Sequence, residues 1–120
     1  MKTNNRIVRV AQQIRIELAK IISSEIKDPR LGILTVTDVE VTRDFSYAKV
    51  YFVVRDKSHA KQSCEVLTKA AGFLRRCLAQ EMLLRHIPQL EFHYDESFEY
   101  GNQIDDLLRK VKIQPEEDQK

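Results

Sequence analysis

Tryptophan is missing from this sequence of 120 residues, cysteine occurs twice, and glycine and proline three times each. So few breakers exclude collagen-like and low-complexity architectures and leave room for long regular elements. Two cysteines are too few for a disulfide scaffold, and Cys64 and Cys77 lie too far apart in sequence for a CxxC redox or zinc pair. Two reduced, buried thiols are expected. No run of about 18 uncharged apolar residues occurs, which excludes a membrane-spanning helix of ordinary length. The opening MKTNNRIVRVAQQ lacks the unbroken apolar segment of a secretory signal, so a cytoplasmic protein is expected.

The chain has the composition of one folded domain, 42% hydrophobic against 32% charged. Its net charge of +2 hides an asymmetry. Residues 1–90 hold 16 Lys+Arg against 9 Asp+Glu, a charge of +7, and residues 91–120 hold 4 against 9, a charge of −5. A basic body with an acidic end suggests a polyanionic partner, although a solvated surface gives the same tally.

Ile7, Ala11, Ile14, Leu18 and Ile22 recur at spacings of three and four and predict an amphipathic helix over residues 5–26. Lys2, Arg6, Arg9 and Lys20 back that stripe, Thr3, Asn4 or Asn5 can cap the start, and Asp28-Pro29 stops the helix. Residues 33–41 are rich in β-branched side chains, and their apolar parity shifts from Leu34 and Val36 to Val39 and Val41, which predicts a bulge near Asp38. Residues 42–46 turn the chain into a second strand over 47–54, with Ala48, Val50, Phe52 and Val54 on one face. Ser58 is the expected N-cap of a helix to about Ala71, with Cys64, Leu67 and Ala71 on its buried stripe. Gly72 marks a kink before a further helix over 73–86, to which Phe73, Leu74, Cys77 and Leu78 supply apolar contacts. Pro88 ends the helical run, Leu90, Phe92 and Tyr94 form a third strand, and Ile104, Leu107, Leu108 and Val111 predict a short last helix. The domain is taken as residues 1–112 and the polar, acidic stretch 113–120 as a disordered tail. Two helices between the second and third strands suit a crossover between parallel strands, so the expectation is one mixed three-stranded sheet covered by helices.

No phosphate loop, HExxH or GxSxG occurs, and His59, His86 and His93 fall singly on different elements. Glu91, Asp95 and Glu96 bracket a strand end with no nucleophile or metal shell in sight, so no catalytic residue, metal or cofactor is expected. The helical bend carries more information. Ala70-Ala71-Gly72 allows a close backbone approach, and Lys69, Arg75 and Arg76 surround it, the two arginines projecting away from Leu74, Cys77 and Leu78 and free to meet phosphates. Charge and spacing alone leave RNA contact and simple helix packing both open.

Asp28-Pro29-Arg30, Leu34-Thr35-Val36-Thr37-Asp38-Val39, Asp44, Ala48-Lys49-Val50, Ala70-Ala71-Gly72, the run from Arg85 to Phe92, and Asp95-Glu96-Ser97 stand in one order and spacing. In these motifs the chain resembles the bacterial ribosome-binding factor A family over roughly residues 6–110. The resemblance implies an α+β, type II KH-like fold in the order α-β-β-α-kink-α-β, in which an interrupted Ala-x-Gly helix replaces the GxxG loop of ordinary KH domains. Ala70 and Gly72 fill those two positions. It further implies a non-enzymatic factor that binds 16S rRNA within the free small (30S) ribosomal subunit, assists late maturation and 5′-end processing of that RNA, and matters most for growth in the cold.

With the residue reading, this makes Arg6, Arg9, Lys69, Arg75 and Arg76 the expected cationic contacts, Ala70 and Gly72 the point of close approach, and Arg43 a contact at the hairpin tip. No membrane, cofactor or small-molecule substrate is expected, and the isolated chain is expected to be a monomer. The rivals are a generic single-stranded-RNA-binding KH module and a protein-interaction adaptor that uses the sheet and the terminal helix.

Overall fold

A computed structural model of the chain describes residues 5–97. The predicted last helix and the tail lie outside the described residues. The elements follow in the order α1 (Asn5–Glu25), β1 (Leu34–Val41), β2 (Tyr47–Val54), α2 (Ala60–Lys69), α3 (Ala71–Glu81) and β3 (Gln89–Tyr94).

In α1 the buried face is Val10, Ile14, Leu18, Ile21 and Ile22. Ile7 and Ala11, expected on that face, are only half-buried, because the first turns of the helix overhang the end of β1. The helix ends before Pro29, and the Leu31 amide donates to the Asp28 carbonyl at 2.9 Å. Gly32 follows at φ +65, a backbone that a side chain would disfavour, and so drops the buried Leu31 beneath the turn.

β1 and β2 form an antiparallel hairpin whose register slips between Val36 and Asp38, which leaves Thr37 unpaired as the bulged residue. The slip lets both Val36 and Val39 face the core. At the hairpin tip Asp44 Oδ1 accepts from the Thr42 hydroxyl at 2.9 Å, the Ser46 hydroxyl at 2.7 Å and the Ser46 amide at 3.1 Å. These donors hold the Asp44 carboxyl below its usual range, the Ser46 hydroxyl contributing most. Phe45 takes the left-handed φ of 62 that closes the turn.

β2 also pairs with β3, in parallel, from Tyr47 with Gln89 to Phe52 with Tyr94, so the strand order is β1-β2-β3. The mixed sheet predicted from the sequence is therefore the one found. Its helices lie on one face: α1 rests on β1 and α3, while α2 and α3 rest on β3. Between the layers sit the fully buried Ile14, Leu18, Phe52, Leu67, Leu74 and Leu78, each contributing about 1.5–3 kcal/mol of burial.

Three details of the helical run differ from the sequence expectation. Asp56, not Ser58, caps it: its Oδ1 accepts from the Ser58 amide at 3.0 Å and the Ser58 hydroxyl at 2.8 Å, opening a 3-10 turn over Lys57–His59 ahead of α2. The buried stripe of α2 is Ser63, Val66 and Leu67, with Cys64 and Ala71 half-buried. α3 stops at Glu81, because Met82 turns extended and drives its side chain into the core, and residues 83–88 form a loop that leaves Leu83 fully exposed. Both thiols are free and half-buried instead of fully buried, Cys64 Sγ lying 3.3 Å from the Phe92 carbonyl.

Candidate nucleic-acid interface

The break between α2 and α3 falls on Ala70, not on Gly72. Ala70 has left the α region at φ −88, ψ 0, and its amide is shared between the Val66 and Leu67 carbonyls. Gly72 is the second residue of α3, with no left-handed φ. A Cβ there would meet only the Arg76 guanidinium, at 3.9 Å. The glycine therefore supplies open space beside the bend and is not its hinge.

Opposite the bend lies the turn that ends α1. Residues 25–30 and the stretch from Val66 to Phe73 wall an open groove of about 650 Å³. Lys27, Arg30 and Lys69 bring three cations to it against the two carboxylates of Glu25 and Asp28, and Val66, Ala70 and Phe73 give it apolar lining. The sequence places Phe73 among the apolar contacts of α3; its ring is instead partly exposed, and the Arg76 guanidinium lies 5.9 Å from the ring centroid. A flat, cation-backed ring at the lip of a basic groove can stack an unpaired base while neighbouring ammonium and guanidinium groups meet phosphates.

Arg30 is held in place rather than left to wander. Its Nε and Nη2 donate to the two oxygens of Asp28 at 3.1 and 2.7 Å, and its amide donates to Oδ1 at 2.9 Å. The Arg30 side-chain bonds, then its amide, hold the Asp28 carboxyl down at about 2, so the pair stays ionised throughout the physiological range. Asp28 thereby cancels part of the charge that Arg30 brings.

The residues predicted from the sequence divide into three groups. Lys69, Ala70, Gly72 and Arg76 lie at or beside the groove. Arg6, Arg9 and Arg43 lie at the far end of α1 and on the hairpin tip, the Arg6 guanidinium 5.3 Å from the centroid of the Phe45 ring. From Arg9 to Glu25 the helix advances about 24 Å, so the predicted cations do not form one patch. Arg75 belongs to neither group. Against the expectation that it projects freely, it is half-buried, with Nη2 donating to the Ile87 carbonyl at 2.7 Å and Nε to the Pro88 carbonyl at 3.1 Å. Its charge clasps the loop that leads into β3.

Sequence reasoning passes over Lys27, Arg30 and Phe73 as contacts. The Asp28-Pro29-Arg30 turn is the available signal, since a helix stop flanked by cations places them at a helix end. The acidic trio shows no catalytic arrangement: Glu91 is exposed beside His93 at 3.5 Å, and Asp95 accepts from the Thr37 hydroxyl of the bulge at 2.5 Å. No group of three or more His, Cys, Asp and Glu side chains suited to a metal ion occurs among the described residues. None of the described helices is long and apolar enough to cross a membrane.

The family model for ribosome-binding factor A matches residues 6–108. The chain belongs to that family. The ribosome-binding factor A of Pseudomonas fluorescens strain Pf-5 is 46% identical over 113 residues, covering 92% of this chain and 85% of that protein. Among solved structures, the crystal structure of ribosome-binding factor A from Thermus thermophilus aligns with a TM-score of 0.67 at 30% identity, over 73% of this chain and 94% of that one. A Thermus thermophilus ribosome-binding factor A homology model fitted into a cryo-EM map of its complex with the 30S subunit aligns with a TM-score of 0.59 at 33% identity, over 69% and 88% of the two chains. The KH-like element order implied by the sequence resemblance is thus shared with ribosome-binding factor A structures.

Proposed function

We propose that this chain is a non-enzymatic assembly factor of the cytoplasm that binds 16S rRNA in the free small ribosomal subunit and assists late maturation and 5′-end processing of that RNA, most of all in the cold. The observation that carries the reading is the groove at the Ala70 bend, with Lys27, Arg30 and Lys69 around it and the Phe73 ring at its lip. The structural likeness to a factor fitted into a 30S complex supports the choice of subunit. Single-stranded rRNA is the form suited to the groove, because its splayed bases can reach Phe73 while its phosphates meet the cations.

Sedimentation of cell extract combined with chemical footprinting of 16S rRNA tests this. The protein should travel with free small subunits and protect a discrete set of 16S nucleotides, and cells lacking it should accumulate precursor 16S rRNA in the cold. Co-sedimentation with mixed RNA and no discrete footprint would favour a generic single-stranded-RNA binder. Absence from every RNA-containing fraction would favour a protein adaptor.

A further inference from the structure

The sheet face turned away from the helices has no element packed over it among the described residues, and its chemistry is opposite to that of the groove. Strand register places two rows across its centre. One row is Glu40, Lys49 and Glu91, and the next is Asp38, Tyr51 and His93. Three carboxylates thus surround one ammonium group, and Asp95 adds a fourth carboxylate at the end of β3. Their field converges on Tyr51, whose phenol is pushed up by burial first and then by Glu40, with Asp38 and Asp95 adding to it. Tyr51 Oη lies 3.5 Å from the Glu40 carboxylate.

Aromatic rings share the face with these charges. Tyr51 and His93 sit 5.7 Å apart between centroids, and Tyr47 is 44% exposed two residues before Lys49. A phosphate chain laid across this surface meets net repulsion. A lysine or arginine side chain meets carboxylates for its charge and ring faces for its stem and head.

We propose that the open face of the sheet docks a Lys/Arg-rich segment of a protein partner, leaving nucleic acid to the helical side of the molecule. The charge complementarity selects the occupant: the face sets Asp38, Glu40, Glu91 and Asp95 against Lys49, whereas residues 5–97 as a whole hold 15 Lys+Arg against 12 Asp+Glu, a charge of +3, so the face runs against the sign of the domain. This inference stands independently of which RNA the groove takes.

The test is an NMR titration of the full chain with two probes, octalysine and the single-stranded RNA octauridine. Octalysine should move the backbone resonances of Glu40, Lys49, Tyr51 and Glu91. The double variant Glu40→Gln, Glu91→Gln should weaken its binding about fivefold at low salt, with unchanged circular dichroism because both side chains are exposed. The matched control Glu17→Gln, Glu81→Gln, on the helical side, should leave octalysine affinity within error. The proposal fails if octalysine acts mainly on Glu17, Glu25 and Glu81 or on the acidic run Glu116-Glu117-Asp118. It also fails if the double variant binds octalysine as the parent does, or if octauridine moves the sheet-face resonances as strongly as those of the groove.

Discussion

The two ends of α1 both carry cations, and they use them differently. At the hairpin end Arg6 lies over the Phe45 ring, so its charge is engaged partly in joining α1 to the turn. At the other end the helix stops at a proline turn facing the Ala70 bend, and Lys27, Arg30 and Lys69 border a groove instead of a ring. Charge count along a helix therefore does not distinguish the two ends. What differs is whether the neighbouring backbone leaves a concavity beside the cation, since Arg30, like Arg6, is already engaged, by Asp28, and still borders the groove. Arg75 and Arg76 make the same point within one turn of α3, since one clasps the carbonyls of Ile87 and Pro88 and the other backs an exposed ring.

The largest effect is expected where the cation is structural. Arg75→Leu removes two charge-assisted hydrogen bonds to the loop before β3 and should cost about 2–3 kcal/mol of stability in urea unfolding. Small-subunit binding should stay near normal wherever the variant is folded. A variant as stable as the parent that loses binding would return Arg75 to the interface.

Next comes the groove itself. Lys69→Glu with Lys27→Glu should weaken small-subunit binding by at least about tenfold at low salt, with an unchanged circular dichroism spectrum. The log-log salt slope should fall by about 0.7–0.9 for each phosphate no longer neutralised. The same pair of reversals at Arg9 and Arg43 should do less, and equal losses at the two ends of α1 would erase the distinction between them.

At Arg6 the expected change is smaller still. Arg6→Ala should cost about 0.5–1 kcal/mol by removing the cation from the Phe45 ring, read as a lowered urea midpoint. Gly72→Ala should shift stability in the opposite direction, by about 0.4–1 kcal/mol, because the position is helical and the added methyl group enters open space. A destabilised Gly72→Ala would mean that the residue is needed for its backbone after all. A stabilised variant with weakened RNA binding would show that the space beside the bend is what the ligand occupies.

The hairpin is the most legible part of the fold. Its β-branched residues alternate, and the parity shift from Val36 to Val39 can only be kept in register by a bulge, so the irregularity itself is written in the sequence. The helical run is less legible for physical reasons. Glycine has low helix propensity but tolerates helical backbone, so Gly72 draws attention from the bend at Ala70. Asp56 and Ser58 are both able caps two residues apart, and only the backbone course chooses between them. Leu83 and Leu84 prolong the apolar rhythm past Glu81, whereas burial of Met82 ends the helix. At the candidate site Lys69, Ala70, Gly72 and Arg76 can be placed from local spacing. The inward turn of Arg75 cannot, because its acceptors lie twelve and thirteen residues along the chain.

The parallel seam between β2 and β3 also sets an order of assembly. The hairpin closes across a short turn, whereas Tyr47 must wait for Gln89, about forty residues later, at a closure cost about 2 kcal/mol higher by chain entropy alone. During synthesis from the N-terminus at about 5–20 residues per second, the far edge of β2 stays unpaired for about 2–8 s. That edge presents unpaired amide and carbonyl groups, and on the adjoining sheet face Val50 and Phe52, both fully buried in the finished domain, still lack part of their cover. For that interval the nascent chain is a two-stranded sheet with an unpaired backbone edge and a partly uncovered apolar face, and β3 closes the edge while the α2–α3 segment covers the face.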